Sequence, residues 1–239
     1  MEIQIAVAKT KKHGALESGD TLEIIERPSG GLSVVMADAQ ISGREGKALS
    51  SMVVRKVIAL LAEGVRDSAA SRAASDHLFT ERNGDNSVCL NILSADLETS
   101  TIVISRNNPA PIFIAQRNRI ESLSAESEAI GASRNVRPTI SEIPLESNTL
   151  VVMFTDGLLK AGALSGESVD IFTLLEDFLE EQDPSPQLIA DTILAQAIRL
   201  DQNRPSEDMS LVVLRVIPHA SDQIRRMTVS MPVEKNLPD

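Results

Sequence analysis

Val151-Val152-Met153-Phe154-Thr155-Asp156-Gly157-Leu158-Leu159 is a run of bulky apolar residues that breaks at Asp-Gly. It reads as a buried strand that delivers one carboxylate to its end, with Gly157 making the turn that follows. An ionised carboxylate beside an apolar core is costly unless it is paired, so Asp156 needs a partner. Other stretches share the grammar. Leu32-Ser33-Val34-Val35-Met36-Ala37-Asp38 is a strand running into an acid, and Glu207-Asp208 opens the apolar run from Met209 to Val216. Asp20, in Ser18-Gly19-Asp20, stands at the mouth of Thr21-Leu22-Glu23-Ile24-Ile25-Glu26. A shared divalent cation is the simplest common reason for strand-end acids so far apart in sequence.

The bounds set by composition agree with that chemistry. A chain of 239 residues, 42% of them hydrophobic, can bury a large core and is not disordered as a whole. Its net charge of -11 excludes a surface built to bind nucleic acid, which needs clustered Lys and Arg. No apolar run approaches the ~20 residues of a membrane span, and the first residues lack a signal-peptide core, so a cytoplasmic location is expected. The single Cys89, inside an apolar run, excludes an internal disulfide and a Cys-based zinc site. His13, beside lysines in a polar turn, reads as a solvated loop residue.

Taken in order, the chain alternates in blocks. Residues 1–8 alternate as a half-exposed strand. Pro28-Ser29-Gly30-Gly31 forms a hairpin turn joining the strand after Asp20 to the strand ending at Asp38. Two helices are expected next, the first with Val53, Val54, Val57, Ile58, Leu60 and Leu61 at helical spacing and Gly64 after it, the second over residues 67–79. Residues 88–93, 101–105 and 111–115 read as an antiparallel meander, and residues 117–131 as loop with some strand character. An acidic amphipathic helix over 169–181 and another over 186–200 precede the last core strand. Residues 227–233, with Pro232 among them, suit an edge strand or a homodimer arm. Such segregation of strands and helices indicates an α+β layered fold. No repeat or linker divides it, so one domain over 1–239 is expected, with a core of about 14–217 and a carboxy-terminal extension over 218–239.

Asp20, Asp38, Asp156 and Asp208 are hard oxygen donors with no His or Cys cluster beside them, which suits Mg²⁺ or Mn²⁺ rather than zinc. An oxygen-only site with room for waters suits two ions about 3.5–4 Å apart that activate a water for attack on a phosphoryl group. The backbone carbonyl at the turn after Asp38 could supply a further ligand. The competing explanation is that each Asp merely caps its own turn, which explains one Asp-Gly well and the whole set poorly.

At this point the pattern resembles a known family. Ser18-Gly19-Asp20, Ala37-Asp38-Ala39-Gln40-Ile41-Ser42-Gly43, Phe154-Thr155-Asp156-Gly157-Leu158 and Glu207-Asp208-Met209-Ser210 look like the metal-dependent serine/threonine protein phosphatases (PPM, type 2C). The bacterial branch represented by the stage II sporulation protein E phosphatase and its stress-response relatives is the most similar one. Ser105-Arg106-Asn107-Asn108-Pro109-Ala110-Pro111 and Ala129-Ile130-Gly131 also resemble that branch.

The resemblance implies an α-β-β-α sandwich, two antiparallel sheets flanked by helices, with a two-metal centre at one end. It implies that Asp38 bridges both ions, Ala39 offers its carbonyl, Asp156 and Asp208 complete one ion's ligands, and Asp20 serves the other. It further implies hydrolysis of phosphoserine or phosphothreonine on a protein, an anti-sigma-factor antagonist being one such substrate. Ala39 and Ile41 stand where the family usually has Gly, Glu207 where a second Asp is common, and Asn107-Asn108 where Gly-His is usual. No Arg corresponds to the phosphate-binding arginine of eukaryotic members. The altered 39–43 turn therefore raises an alternative function, a PPM-fold module that holds a partner protein without turnover.

Overall fold

The computed structural model describes residues 1–117, 119–180, 184–218, 222 and 224–232. Strand β1 (Glu2–Thr10) leads through a polar loop to the hairpin of β2 (Thr21–Glu26) and β3 (Gly31–Ala39). Gly30 and Gly31 make the hairpin turn with φ of 92° and 95°, a region open to glycine and strained for other residues. Helix α1 (Gly43–Ala62) and helix α2 (Asp67–Arg82) follow, then β4 (Val88–Asp96), β5 (Thr101–Asn107), β6 (Ile112–Gln116), β7 (Arg119–Leu123) and β8 (Thr139–Pro144). The chain continues through β9 (Leu150–Phe154), the single turn α3 (Gly157–Lys160), α4 (Ile171–Glu180), α5 (Pro186–Leu200) and β10 (Met209–Ile217).

The strands form two antiparallel sheets, ordered β1-β10-β9-β6-β7 and β2-β3-β4-β5-β8. Val34, Met36, Leu93, Ile104, Met153 and Val212 fill the space between them. Helices α1 and α2 cover the outside of the second sheet, and α4 and α5 the outside of the first. All five residues of β9 are buried, because one face meets the other sheet and the opposite face meets helices. This explains why its sequence is a continuous apolar run instead of an alternation. Burying those five side chains contributes roughly 10 kcal/mol, enough to outweigh the cost of ending the strand beside a partly buried carboxylate.

Three expectations need correction. The meander over 88–115 is broken: β5 pairs with β4 and β8, while β6 crosses to the other sheet and pairs with β7 and β9. The crossing is made by residues 108–111, where Pro109 and Pro111 cannot donate to a ladder and Asn108 Oδ1 accepts the Ala110 N–H at 2.9 Å. Residues 119–123, within the stretch expected as loop with some strand character, form a full strand, β7. Residues 227–232 form no strand, and their Met227, Val229 and Met231 are exposed; Val233, the last residue of that expected arm, lies outside the described residues. The helix expected over 169–181 spans Ile171–Glu180, with Glu181 also outside them.

Among the described residues no helix is long and apolar enough to cross a membrane.

Candidate metal centre

Registers bring the four acids to one end of the sandwich. Thr21 lies opposite Ala37, so Asp20 and Asp38 fall one step further along the same hairpin. Leu211 lies opposite Phe154, which carries Asp156 and Asp208 out of the same end of the other sheet. Asp20 and Asp156 stand near enough to Asp38 to act on its carboxyl electrostatically. Asp208 ties the loop after β1 to β10: its Oδ1 accepts the Lys12 N–H and its Oδ2 the Gly19 N–H, each at 2.8 Å.

Asp20 is fully buried. Its Oδ2 accepts the Ser210 hydroxyl at 2.6 Å and the Thr155 hydroxyl at 3.1 Å, which pins the start of β2 to the ends of β9 and β10 in the opposite sheet. Its backbone carbonyl accepts from Lys9 Nζ and, at 2.7 Å, from Lys47 Nζ. Lys47 and Ser50 stand one turn apart on α1, and Ser50 donates to the Gly19 carbonyl, so the helix clamps the Gly19-Asp20-Thr21 backbone. Asp156 forms an ion pair with Lys160, Nζ to Oδ2 at 2.7 Å, across the turn of α3.

The altered 39–43 turn is accommodated. Ala39 lies within β3 and is not among the residues with positive φ, so it needs no glycine; the left-handed position is Gly43, with φ of 75°. Gly46 is required for a different reason, since a Cβ there would meet the Ile41 carbonyl oxygen at 1.9 Å. Asn107 and Asn108 are buried and structural: Asn107 accepts from Ser71 and donates to the Glu128 carbonyl.

The electrostatics show negative charge without enough compensation. Burial, and then the charges of Asp20 and Asp156, push the Asp38 carboxyl up to about 9. Burial also raises Asp20, against the opposing pull of Ser210 and Lys9. Burial and the neighbouring Lys47 lower the Lys9 ammonium. Cys89, directly across from Asp38 in the β3–β4 register, is pushed up to about 12 by burial and by that acid. Asp20 Oδ1 is buried without a hydrogen-bond partner.

An orphaned carboxylate oxygen beside a second acid that keeps its proton far above the usual range fits a site made for a cation. Among the described residues no three His, Cys, Asp or Glu side chains converge as a finished cage; Asp156 is engaged by Lys160 and Asp208 by the Lys12 and Gly19 N–H groups. Asp20, Asp38 and Asp156 could hold divalent ions through oxygen, with Asp208 and the Ala39 carbonyl at the periphery. A cavity of about 430 Å³ beside β6, β7 and β8, lined by Ile114, Arg117, Arg119, Glu121 and Ile143, includes none of these acids.

The raised Asp38 group has a consequence for stability. An unfolded Asp titrates near ~4, so between about pH 4 and the Asp38 value of about 9 the folded protein holds a proton that the unfolded chain has lost. Stability from this group is complete below pH ~4 and drains away as pH rises to ~9, by at most ~1.4 kcal/mol per pH unit. In EDTA the melting temperature should fall by several degrees between pH 6 and pH 8, and Mn²⁺ at pH 8 should restore it. A profile flat in pH would contradict the assigned charge pattern.

Sequence reasoning reached the four acids but missed the groups that hold them: Thr155, Ser210, Lys9, Lys47 and Lys160. Thr155 and Ser210 carried a signal, since each is a hydroxyl inside an otherwise apolar run and needs a buried partner. The lysines carried none, because their proximity to the acids depends on strand register and helix placement.

A sandwich of two antiparallel sheets clad by helices, with acids gathered at one end, is the fold of the PP2C-type serine/threonine phosphatases. The sequence profile of the stage II sporulation protein E (SpoIIE) family matches residues 28–217, and the chain belongs to that family. Stage II sporulation protein E of Priestia megaterium is 22% identical over 214 residues, covering 90% of this chain and 36% of that protein. The chain thus spans about a third of that relative's length.

A structure of the PP2C phosphatase domain with a fragment of the regulatory domain of SpoIIE, a cell-fate determinant of Bacillus subtilis, aligns with a TM-score of 0.75. Its identity is 20%, over 90% of this chain and 63% of that one. The catalytic domain of the serine/threonine phosphatase PstP, in complex with two manganese ions, aligns with a TM-score of 0.69 at 12% identity, over 90% of this chain and 98% of that one.

Proposed function

We propose that this protein is a divalent-cation-dependent phosphatase of phosphoserine or phosphothreonine on a protein substrate. The observation that carries the proposal is the strand register that gathers Asp20, Asp38, Asp156 and Asp208 at one end of the sandwich, where a buried Asp20 oxygen has no partner. Two Mn²⁺ or Mg²⁺ ions bound there would activate water and polarise the phosphoryl group. The chain's own contribution is placement. Thr155 and Ser210 hold one Asp20 oxygen and leave the other free, and Lys47 and Ser50 fix the backbone that carries it. Lys9 and Lys47 add positive charge beside the acids. The functional unit on this proposal is one domain with its core at about 14–217, acting in the cytoplasm in bacterial signalling. A phosphorylated anti-sigma-factor antagonist suits as substrate.

The engagement of Asp156 and Asp208 by other groups favours a second reading, a family member that holds a partner without turnover. Phosphate release from a phosphoserine peptide, measured in parallel with EDTA, Mg²⁺ and Mn²⁺, separates the two. The first reading expects metal-dependent release that falls at least ~100-fold in Asp156→Asn, by loss of one proposed metal ligand. Folded protein with no release under any metal would favour the second.

A further inference from the structure

We infer that Lys160 is a built-in competitor for the cation at Asp156, a tethered ammonium that sets how tightly this site takes a divalent ion. The inference rests on the proposed metal role of Asp156. Lys160 Nζ lies 2.7 Å from Asp156 Oδ2, and its positive charge also acts on Glu207 and Asp38. Its backbone cannot drift away, because the Leu159 and Lys160 N–H groups both donate to the Asp156 carbonyl at 2.9 and 3.1 Å. Asp156 occupies the N-cap position of α3, yet its side chain makes no capping hydrogen bond, and its carboxylate is turned to the lysine.

Lys9 and Lys47 differ in this respect. Their ammonium groups donate to the Asp20 backbone carbonyl and not to its carboxylate, whose Oδ1 stays unpartnered. A divalent ion on Asp156 Oδ2 would stand within a few ångströms of the Lys160 ammonium, and the two positive charges repel. The lysine side chain is 52% exposed, so it can swing into water, where an exposed pair of this kind is weak. Metal loading therefore includes displacement of Lys160, and the displaced charge remains tethered at the mouth of the site.

The test is Mn²⁺ binding to the full chain by isothermal titration calorimetry, with no substrate present, for wild type, Lys160→Met, Lys160→Arg and Asp156→Asn. Circular dichroism confirms that each variant is folded. Lys160→Met should bind Mn²⁺ roughly ten-fold more tightly at low salt. Lys160→Arg should stay near wild type, and the gain should shrink at high salt as screening weakens the repulsion. Wild-type protein that binds Mn²⁺ at Asp156, with Lys160→Met binding equally or less tightly, would overturn the inference and leave the metal centre intact. Absence of binding in wild type and Lys160→Met alike would overturn both.

Discussion

Asp38→Asn is expected to abolish phosphate release while making the metal-free protein more stable. Asp20 and Asp156 both act on the Asp38 carboxyl, and on the proposed function Asp38 is the ligand their ions share. Loss of that ligand should cost roughly 4 kcal/mol of transition-state stabilisation, about a thousand-fold in rate. The same change replaces a group that burial forces to keep its proton up to about pH 9 with a neutral amide of similar shape. In EDTA at pH 8 the variant should therefore melt several degrees above wild type. Steady-state kinetics with Mn²⁺ and thermal melts without it check the two halves. A variant that is destabilised and inactive would mean that Asp38 is structural.

Gly157→Ala should destabilise the fold strongly. Asp156 and Asp208 emerge from adjacent antiparallel strands, and a Cβ on Gly157 would lie 2.0 Å from the Asp208 carbonyl oxygen. That neighbour is backbone, so relief requires the ends of β9 and β10 to separate. Overpacking of this kind costs about 3 kcal/mol. Because the separation also moves Asp156 away from Asp208, Mn²⁺ affinity should drop with stability. Urea denaturation gives the first quantity and calorimetry the second. An alanine variant with wild-type stability would show that the turn relaxes freely and that close backbone approach does not require Gly at this strand end.

Much of this was legible in the sequence because it rests on local pattern. A buried strand leaves a continuous apolar run, an acid at its mouth breaks the run, and a glycine beside the acid marks a close backbone approach. The strand ending at Asp38 and its Pro28–Gly31 hairpin were readable for the same reason, and so was the amphipathic helix that follows. What could not be read was pairing across long sequence separations. Pro109 and Pro111 mark a break between β5 and β6, but nothing within residues 101–115 says that β8 takes the edge of β5 while β6 joins β9 in the other sheet.

The same limit hid the second half of the site. Ser210 and Thr155 meet Asp20 across 190 and 135 residues of chain, and Lys47 reaches it from a helix face. The departures at Ala39 and Ile41 looked like losses of backbone freedom. The structure places the only left-handed residue of that turn, among residues 38–46, at Gly43, so both side chains fit without strain.

If these acids form a metal centre, anomalous scattering at the manganese edge from crystals soaked in Mn²⁺ will show strong peaks within ligand distance of Asp38, shared with Asp156 on one side or Asp20 on the other, and Lys160 turned out towards solvent. Manganese found only at surface carboxylates, with the Asp156–Lys160 pair still closed, would contradict a metal centre there.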